Sequence, residues 1–115
     1  MWLVDHNIPV GIFSALLRFG KNVQTVSQNG WERLENGKLV SAAYLNGFKV
    51  IITKDRLFAE DAARALSNHP DFAVVLVRLP KQIAANQLDQ VDWFIDTFQN
   101  SPIIPIAGRM IEWPS

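Results

Sequence analysis

The chain has 115 residues, 49% of them hydrophobic and 19% charged, with 11 Lys+Arg against 11 Asp+Glu, two His and no Cys. A single domain over residues 1–115 is expected, since chains of roughly 100–150 residues build one core, and a formal charge of zero supplies no global field for nucleic acid or an anionic membrane, so a polyanion must be met by a local patch. With no cysteine, disulfides, thiolate metal cages and a cysteine nucleophile are excluded; no apolar run nears the roughly 20 residues of a membrane span, and Asp5 comes too early for a signal peptide, which together predict a cytoplasmic protein.

Trp2-Leu3-Val4 is a brief apolar run closed by Asp5, His6 and Asn7, the pattern of a buried strand and its outgoing turn. Asn7 or Ile8 then starts a helix expected from about Pro9 to Phe19, in which Ile12, Phe13, Leu16, Leu17 and Phe19 recur at helical spacing until Gly20 stops it. Asn22 to Val26 alternates with β-branched residues and predicts a second strand, whereas Ser27 to Glu35, polar with Gly30 and Trp31 inside it, predicts a loop. Asn36 is the expected N-cap of a helix carrying Leu39, Val40, Ala42, Ala43 and Leu45, with Asn46-Gly47 as its stop.

Phe48 to Thr53 holds the strongest strand signal, Val50-Ile51-Ile52, as expected of a central strand covered on both faces. After Lys54-Asp55-Arg56, the stretch from Ala59 to Leu66 predicts a helix closed by Asn68-His69-Pro70, and Phe72 to Val77 predicts another buried strand. From Pro80 onward Ile83, Leu88, Val91, Phe94, Ile95 and Phe98 keep helical spacing. Pro102 to Ile106 and Arg109 to Trp113 are short and proline-bounded, edge strands at best.

Strands alternating with helices predict an α/β fold: a three-layer, doubly wound, mostly parallel sheet of four to five strands with right-handed crossovers. In the common doubly wound order the first and third strands are neighbours, and ligands sit past their carboxyl ends where the strand order reverses. Asp5 and Asp55 both fall just after those strands. Two carboxylates in one crevice suit a hard cation such as Mg²⁺ or Mn²⁺, which takes oxygen ligands and keeps several waters. Such a cation polarises a phosphoryl oxygen or lowers the pKa of a water.

Taken singly, each Asp reads equally well as a turn former or helix N-cap. His6 is a candidate base or ligand beside Asp5, against the more frequent local hydrogen bond. Thr53 and Lys54 flank Asp55 either as phosphate contacts or as the strand's end. Trp31, Glu32, Glu35 and Asn36 belong to a connection that opens at the same sheet edge, with packing down on the sheet as the alternative for Trp31. Trp93 and Trp113 either cover the core stripe of Val91, Phe94, Ile95 and Phe98 or mark a homodimer surface. No phosphate-binding glycine loop, Gly-x-Ser-x-Gly elbow or His-Glu-x-x-His occurs, which removes the main support for dehydrogenase, P-loop, α/β-hydrolase and zincin readings.

Leu3-Val4-Asp5-His6-Asn7-Ile8-Pro9 resembles the opening Leu-Val/Phe-Asp-x-Asn-x-Pro of PIN-like domains in short prokaryotic proteins, which are described as predicted toxin components of toxin–antitoxin pairs. Gly30-Trp31-Glu-Arg-Leu34-Glu-Asn36-Gly37-Lys-Leu39, followed by Gly47-Phe48-Lys-Val50-Ile-Ile52-Thr53-Lys-Asp55, is similar to a branch with Gly-Trp-x-x-Leu-x-Asn-Gly-x-Leu and then Gly-Phe-x-Val-Leu-Ile-Thr-x-Asp. The resemblance spans Trp2 to Phe58. It implies Mg²⁺- or Mn²⁺-dependent RNA cleavage, with several acids gathering the metal at the carboxyl edge of a parallel sheet, and an antitoxin protein as partner.

On this resemblance Asp5 and Asp55 are the implied metal ligands, with Glu35 or Asn36 assisting catalysis. The family's acid at the start of the second helix falls on Asn36, and the second Asp of its Asp-x-Asp-Phe falls on Leu57. Glu35, Glu60 and Asp61 are the substitutes at hand. These departures raise a second expectation, a catalytically inactive binding or assembly module on the same fold. A phosphoacceptor receiver domain is a third, on length and the Asp after the third strand, although receivers resemble this chain without its Asp5-His6 pair and with a Lys that Ile103 to Ile106 lacks.

Overall fold

The computed structural model describes residues 1–83 and 85–115. Strands β1 (Trp2–Val4), β2 (Val23–Thr25), β3 (Val50–Thr53), β4 (Ala73–Val77) and β5 (Met110–Trp113) form one sheet in the order β2-β1-β3-β4-β5. Every neighbouring pair is parallel. Between them run α1 (Val10–Arg18), α2 (Asn36–Leu45), α3 (Arg56–Arg64) and α4 (Gln87–Asn100).

The alternation of side chains along a strand explains why the inner strands are apolar throughout. Val4, Val50, Ile52, Val75 and Val77 face one way and pack with Ile12 and Leu16 of α1 and Phe94 and Phe98 of α4. Leu3, Ile51, Val74 and Leu76 face the other way and pack with Leu39, Val40 and Ala43 of α2 and Ala59 and Ala62 of α3. The result is the expected three-layer α/β arrangement with five strands. Among the described residues no helix is long and apolar enough to cross a membrane.

Where helix α1 crosses α4, a Cβ built on Gly11 would stand 2.5 Å from a methyl of Val91. The bare backbone is what lets the two helices approach. The chain enters β5 through Gly108, at φ +77°, where a Cβ would lie 2.9 Å from the Pro70 carbonyl oxygen and where the N–H donates to the Phe72 carbonyl at 2.7 Å.

Several boundaries differ from expectation for local reasons. Helix α3 starts at Arg56, ahead of Ala59, because Asp55 caps it: Oδ1 accepts from the Phe58 N–H at 3.2 Å. Pro80 does not open α4; its carbonyl accepts from the Ile83 N–H at 3.2 Å in a 3₁₀ turn over Lys81–Ile83. Ala84, also inside the expected helical segment, lies outside the described residues. Helix α4 itself begins at Gln87, where Asn86 accepts from the Asp89 N–H at 3.1 Å. Within the expected loop, Ser27–Asn29 forms a 3₁₀ turn. Of the two proline-bounded segments only the second is a strand, β5, at the sheet edge; Pro102 to Ile106 stays irregular, two of its five residues being prolines without a ladder donor.

Candidate functional site

The reversal of strand order falls between β1, which is followed by helix α1 and then β2, and β3, which leads to β4. Val4 pairs with Ile52, and the Asp5 N–H continues the ladder to the Ile52 carbonyl at 2.9 Å. Asp5 is therefore held by backbone at the carboxyl end of the sheet, and it is only 5% exposed. Burying a carboxylate is costly unless donors surround it. Here Oδ1 accepts from the His6 N–H at 2.8 Å and lies 3.1 Å from His6 Nδ1, while Oδ2 accepts from the Thr53 hydroxyl at 2.8 Å.

Thr53, the last residue of β3, is fully buried. Its hydroxyl oxygen also accepts from the Asp55 N–H at 3.1 Å. One hydroxyl thus links the two acids: it donates to the first and receives from the backbone of the second. A single element of β3 positions both ends of the pair. His6 is engaged with Asp5 locally, as its more frequent reading had it.

A cleft of about 410 Å³ opens over this pair. Its walls include Asp5, Asn7, Glu32, Glu35, Asn36, Asp55, Leu57 and Asp61. Asp61 is paired with Arg64; Glu60 does not line the cleft. Trp31 packs down on the sheet, its ring at 73° to that of Phe48 with centroids 5.8 Å apart. Trp113 is buried and Trp93 half-buried, ring to ring at 5.7 Å, so both cover the core.

Asn36 is not the N-cap of α2. Glu35 occupies the cap position, extended and without a side-chain cap bond, and Asn36 is the first helical residue at φ +41°. The short Asn side chain tolerates that left-handed conformation, and Gly37 follows it. Both residues nonetheless stand on the cleft wall, so the structure brings Asp5, Asp55, Glu35 and Asn36 to one cavity.

Compared with known proteins, the chain matches no family model, no curated protein and no solved structure.

Asn7, expected as a turn residue or helix start, neither caps α1, whose cap is Pro9, nor stays outside the cleft. Its Oδ1 is buried and has no hydrogen-bond partner, next to Asp5 in the cleft. Buried oxygens without a donor cost free energy, and a cation is one group that satisfies them. The carboxylate and amide oxygens of Asp5, Asp55 and Asn7 line this cleft, and oxygen is the donor Mg²⁺ and Mn²⁺ take. Among the described residues no group of three or more acids or histidines is gathered closely enough to hold an ion.

Arg56, the first residue of α3, ties the helix start to β5 by donating from Nη2 to Glu112 Oε1 at 2.6 Å. That hydrogen bond is the first cause holding the Glu112 carboxyl below its ordinary range, with the charges of Arg56 and Arg78 adding to it and desolvation opposing. A carboxyl whose folded pKa is lowered contributes stability above its unfolded pKa and loses it as pH falls through the folded value. Glu112→Gln is thus expected to melt below wild type at neutral pH, with the gap closing below about pH 4. Melts taken across that range check this; a gap that persists in acid would show that the charge is not its source.

Proposed function

We propose that the cleft at the carboxyl ends of β1 and β3 holds one divalent cation, Mg²⁺ or Mn²⁺, on Asp5 and Asp55, and that the chain is a PIN-like, metal-dependent ribonuclease domain. The observation that carries this reading is the Thr53 hydroxyl, which donates to the Asp5 carboxylate and accepts from the Asp55 backbone N–H at the point where strand order reverses, with both acids lining one cleft and the unpartnered Asn7 oxygen in it. When bound, the cation supplies positive charge to a phosphoryl oxygen and acidity to a water.

The chain's own groups do the rest. The His6 N–H and the Thr53 hydroxyl each hold one oxygen of Asp5, so the carboxylate is oriented before any ligand arrives. Asp55 faces the same cavity while its Oδ1 caps α3, which fixes its χ angles. Glu35, on the α2 side of the cleft, is the group placed to take the proton of an attacking water. An antitoxin-type protein is the partner this reading expects, with RNA as substrate in the cytoplasm.

A second reading, an inactive binding module, is favoured by the Leu at position 57 and by the lack of a three-acid group among the described residues.

One melt separates the two. Millimolar Mn²⁺ is expected to stabilise the wild type by about 1–3 kcal/mol when it exceeds Kd ten- to a hundredfold, and Asp55→Asn should abolish the shift. Asn caps a helix about as well as Asp, so the variant keeps its fold. A shift accompanied by Mn²⁺-dependent RNA cleavage establishes the nuclease reading; no shift in either protein transfers the weight to the metal-free module.

A further inference from the structure

Beside the acidic cleft, across the Lys54-Asp55 step, a second cleft of about 690 Å³ opens at the same sheet edge, within the roughly 300–1,000 Å³ typical of small-molecule sites. Its walls come from separate elements: Lys54 after β3, Arg56 at the start of α3, Arg78 and Lys81 after β4, and Trp93 from α4. Among the described residues no carboxylate lines it. Glu112, at the side, accepts from Arg56 at 2.6 Å and lies 3.4 Å from Arg78 Nε. One acid thus orients two guanidiniums and leaves the cleft cationic, because no acid of the described residues pairs with Lys54 or Lys81.

A chain of zero net charge has here separated its charge into an acidic and a basic cavity side by side. The basic one also carries an aromatic wall. Trp93 is half-buried and set at 63° against the buried Trp113, so its indole is held by the core as a fixed plane. Leu79 and Pro80 add apolar surface. Cations suit phosphate, and an immobilised aromatic plane with apolar surroundings suits a base. Inorganic phosphate alone would leave the second half of the cavity without a function.

We propose that this cleft binds a nucleotide, its phosphate on Lys54, Arg78 and Lys81 and its base against Trp93. The nucleotide comes either free, as a mononucleotide, or as one unit of a single-stranded RNA. The site stands apart from the cation-binding carboxylates, so its test is run in EDTA, where the fate of the metal reading has no influence.

Calorimetric titrations of the full chain with AMP, GMP, inorganic phosphate and an oligoadenylate of about 8 nucleotides decide the matter. Wild type is expected to bind at least one nucleotide probe more tightly than inorganic phosphate. The double variant R78A/K81A, both positions being exposed, should weaken that binding about tenfold or more. Trp93→Leu should weaken nucleotide binding about tenfold and leave the affinity for phosphate unchanged. Should Trp93→Leu fail to fold by near-ultraviolet circular dichroism, the surface double variant and the comparison of nucleotide with phosphate still decide. Mononucleotide binding assigns the free ligand; binding of the oligonucleotide alone assigns the RNA strand. Absence of binding for every nucleotide probe at millimolar concentration, equal affinity for phosphate, or indifference to R78A/K81A overturns the proposal.

Discussion

Phe94→Ala is expected to cost about 3–5 kcal/mol of folding free energy, the range for removing a fully buried aromatic ring. Phe94 is 0% exposed, and it sits where helix α4 meets the sheet. Its ring lies 5.6 Å from that of Phe98 and 5.2 Å from that of Trp113; Phe98 in turn stacks on Phe19 at 4.7 Å. One substitution therefore opens a cavity between α4, β5 and the end of α1. Against a total stability of about 5–15 kcal/mol for a domain, the loss is roughly a fifth or more. Urea unfolding should show a lower midpoint at an unchanged slope. A loss below about 1 kcal/mol would mean that neighbouring rings collapse into the space, and that this side of the core is less closely packed than the ring geometry shows.

Asp5→Ala and Asp5→Asn are expected to part company in stability while agreeing in function. Alanine leaves the buried Thr53 hydroxyl and the His6 N–H without their acceptor. At about 1–3 kcal/mol for each orphaned group, the loss is about 2–6 kcal/mol. Asparagine is nearly the same shape and keeps one carbonyl oxygen. It also removes one of the like charges lining the cleft, which offsets part of any loss. Its stability should fall within about 1 kcal/mol of wild type. Both variants should lose the Mn²⁺-dependent rise in melting midpoint. A rise that survives in Asp5→Asn places the cation elsewhere; equal stabilities for Ala and Asn would mean that the hydrogen bonds to Asp5 carry no net stabilisation.

The layered fold was legible in the chain because its signals are local. Three β-branched residues at Val50-Ile51-Ile52 mark the middle strand, helical spacing marks α1 and the later part of α4, and Gly20 and Gly47 mark the stops. Asp5 and Asp55 were legible for a related reason. Asp5 directly follows β1 and Asp55 stands two residues past the end of β3, and the neighbouring placement of β1 and β3 brings them to one edge. The capping alternative was legible for Asp55, which caps α3 and also lines the cleft.

Other features depend on distances that adjacent residues do not encode. An Asn before a helix reads as an N-cap, yet the path from the 3₁₀ turn at Ser27–Asn29 into α2 puts Glu35 in that role and Asn36 at positive φ. The Asn7 oxygen is an orphan only because the folded turn buries it away from every donor. Composition reports a neutral chain, but neutrality is a sum. Lys54, Arg78, Lys81 and Trp93 belong to separate stretches of sequence, and parallel pairing of β3 with β4, and of β4 with β5, gathers them on one side of Asp55 while the carboxylates collect on the other. Periodicity is a property of neighbours along the chain, whereas a pocket is a property of neighbours across the sheet. The alternating pattern therefore specified the layers, and long-range strand register decided which charges meet.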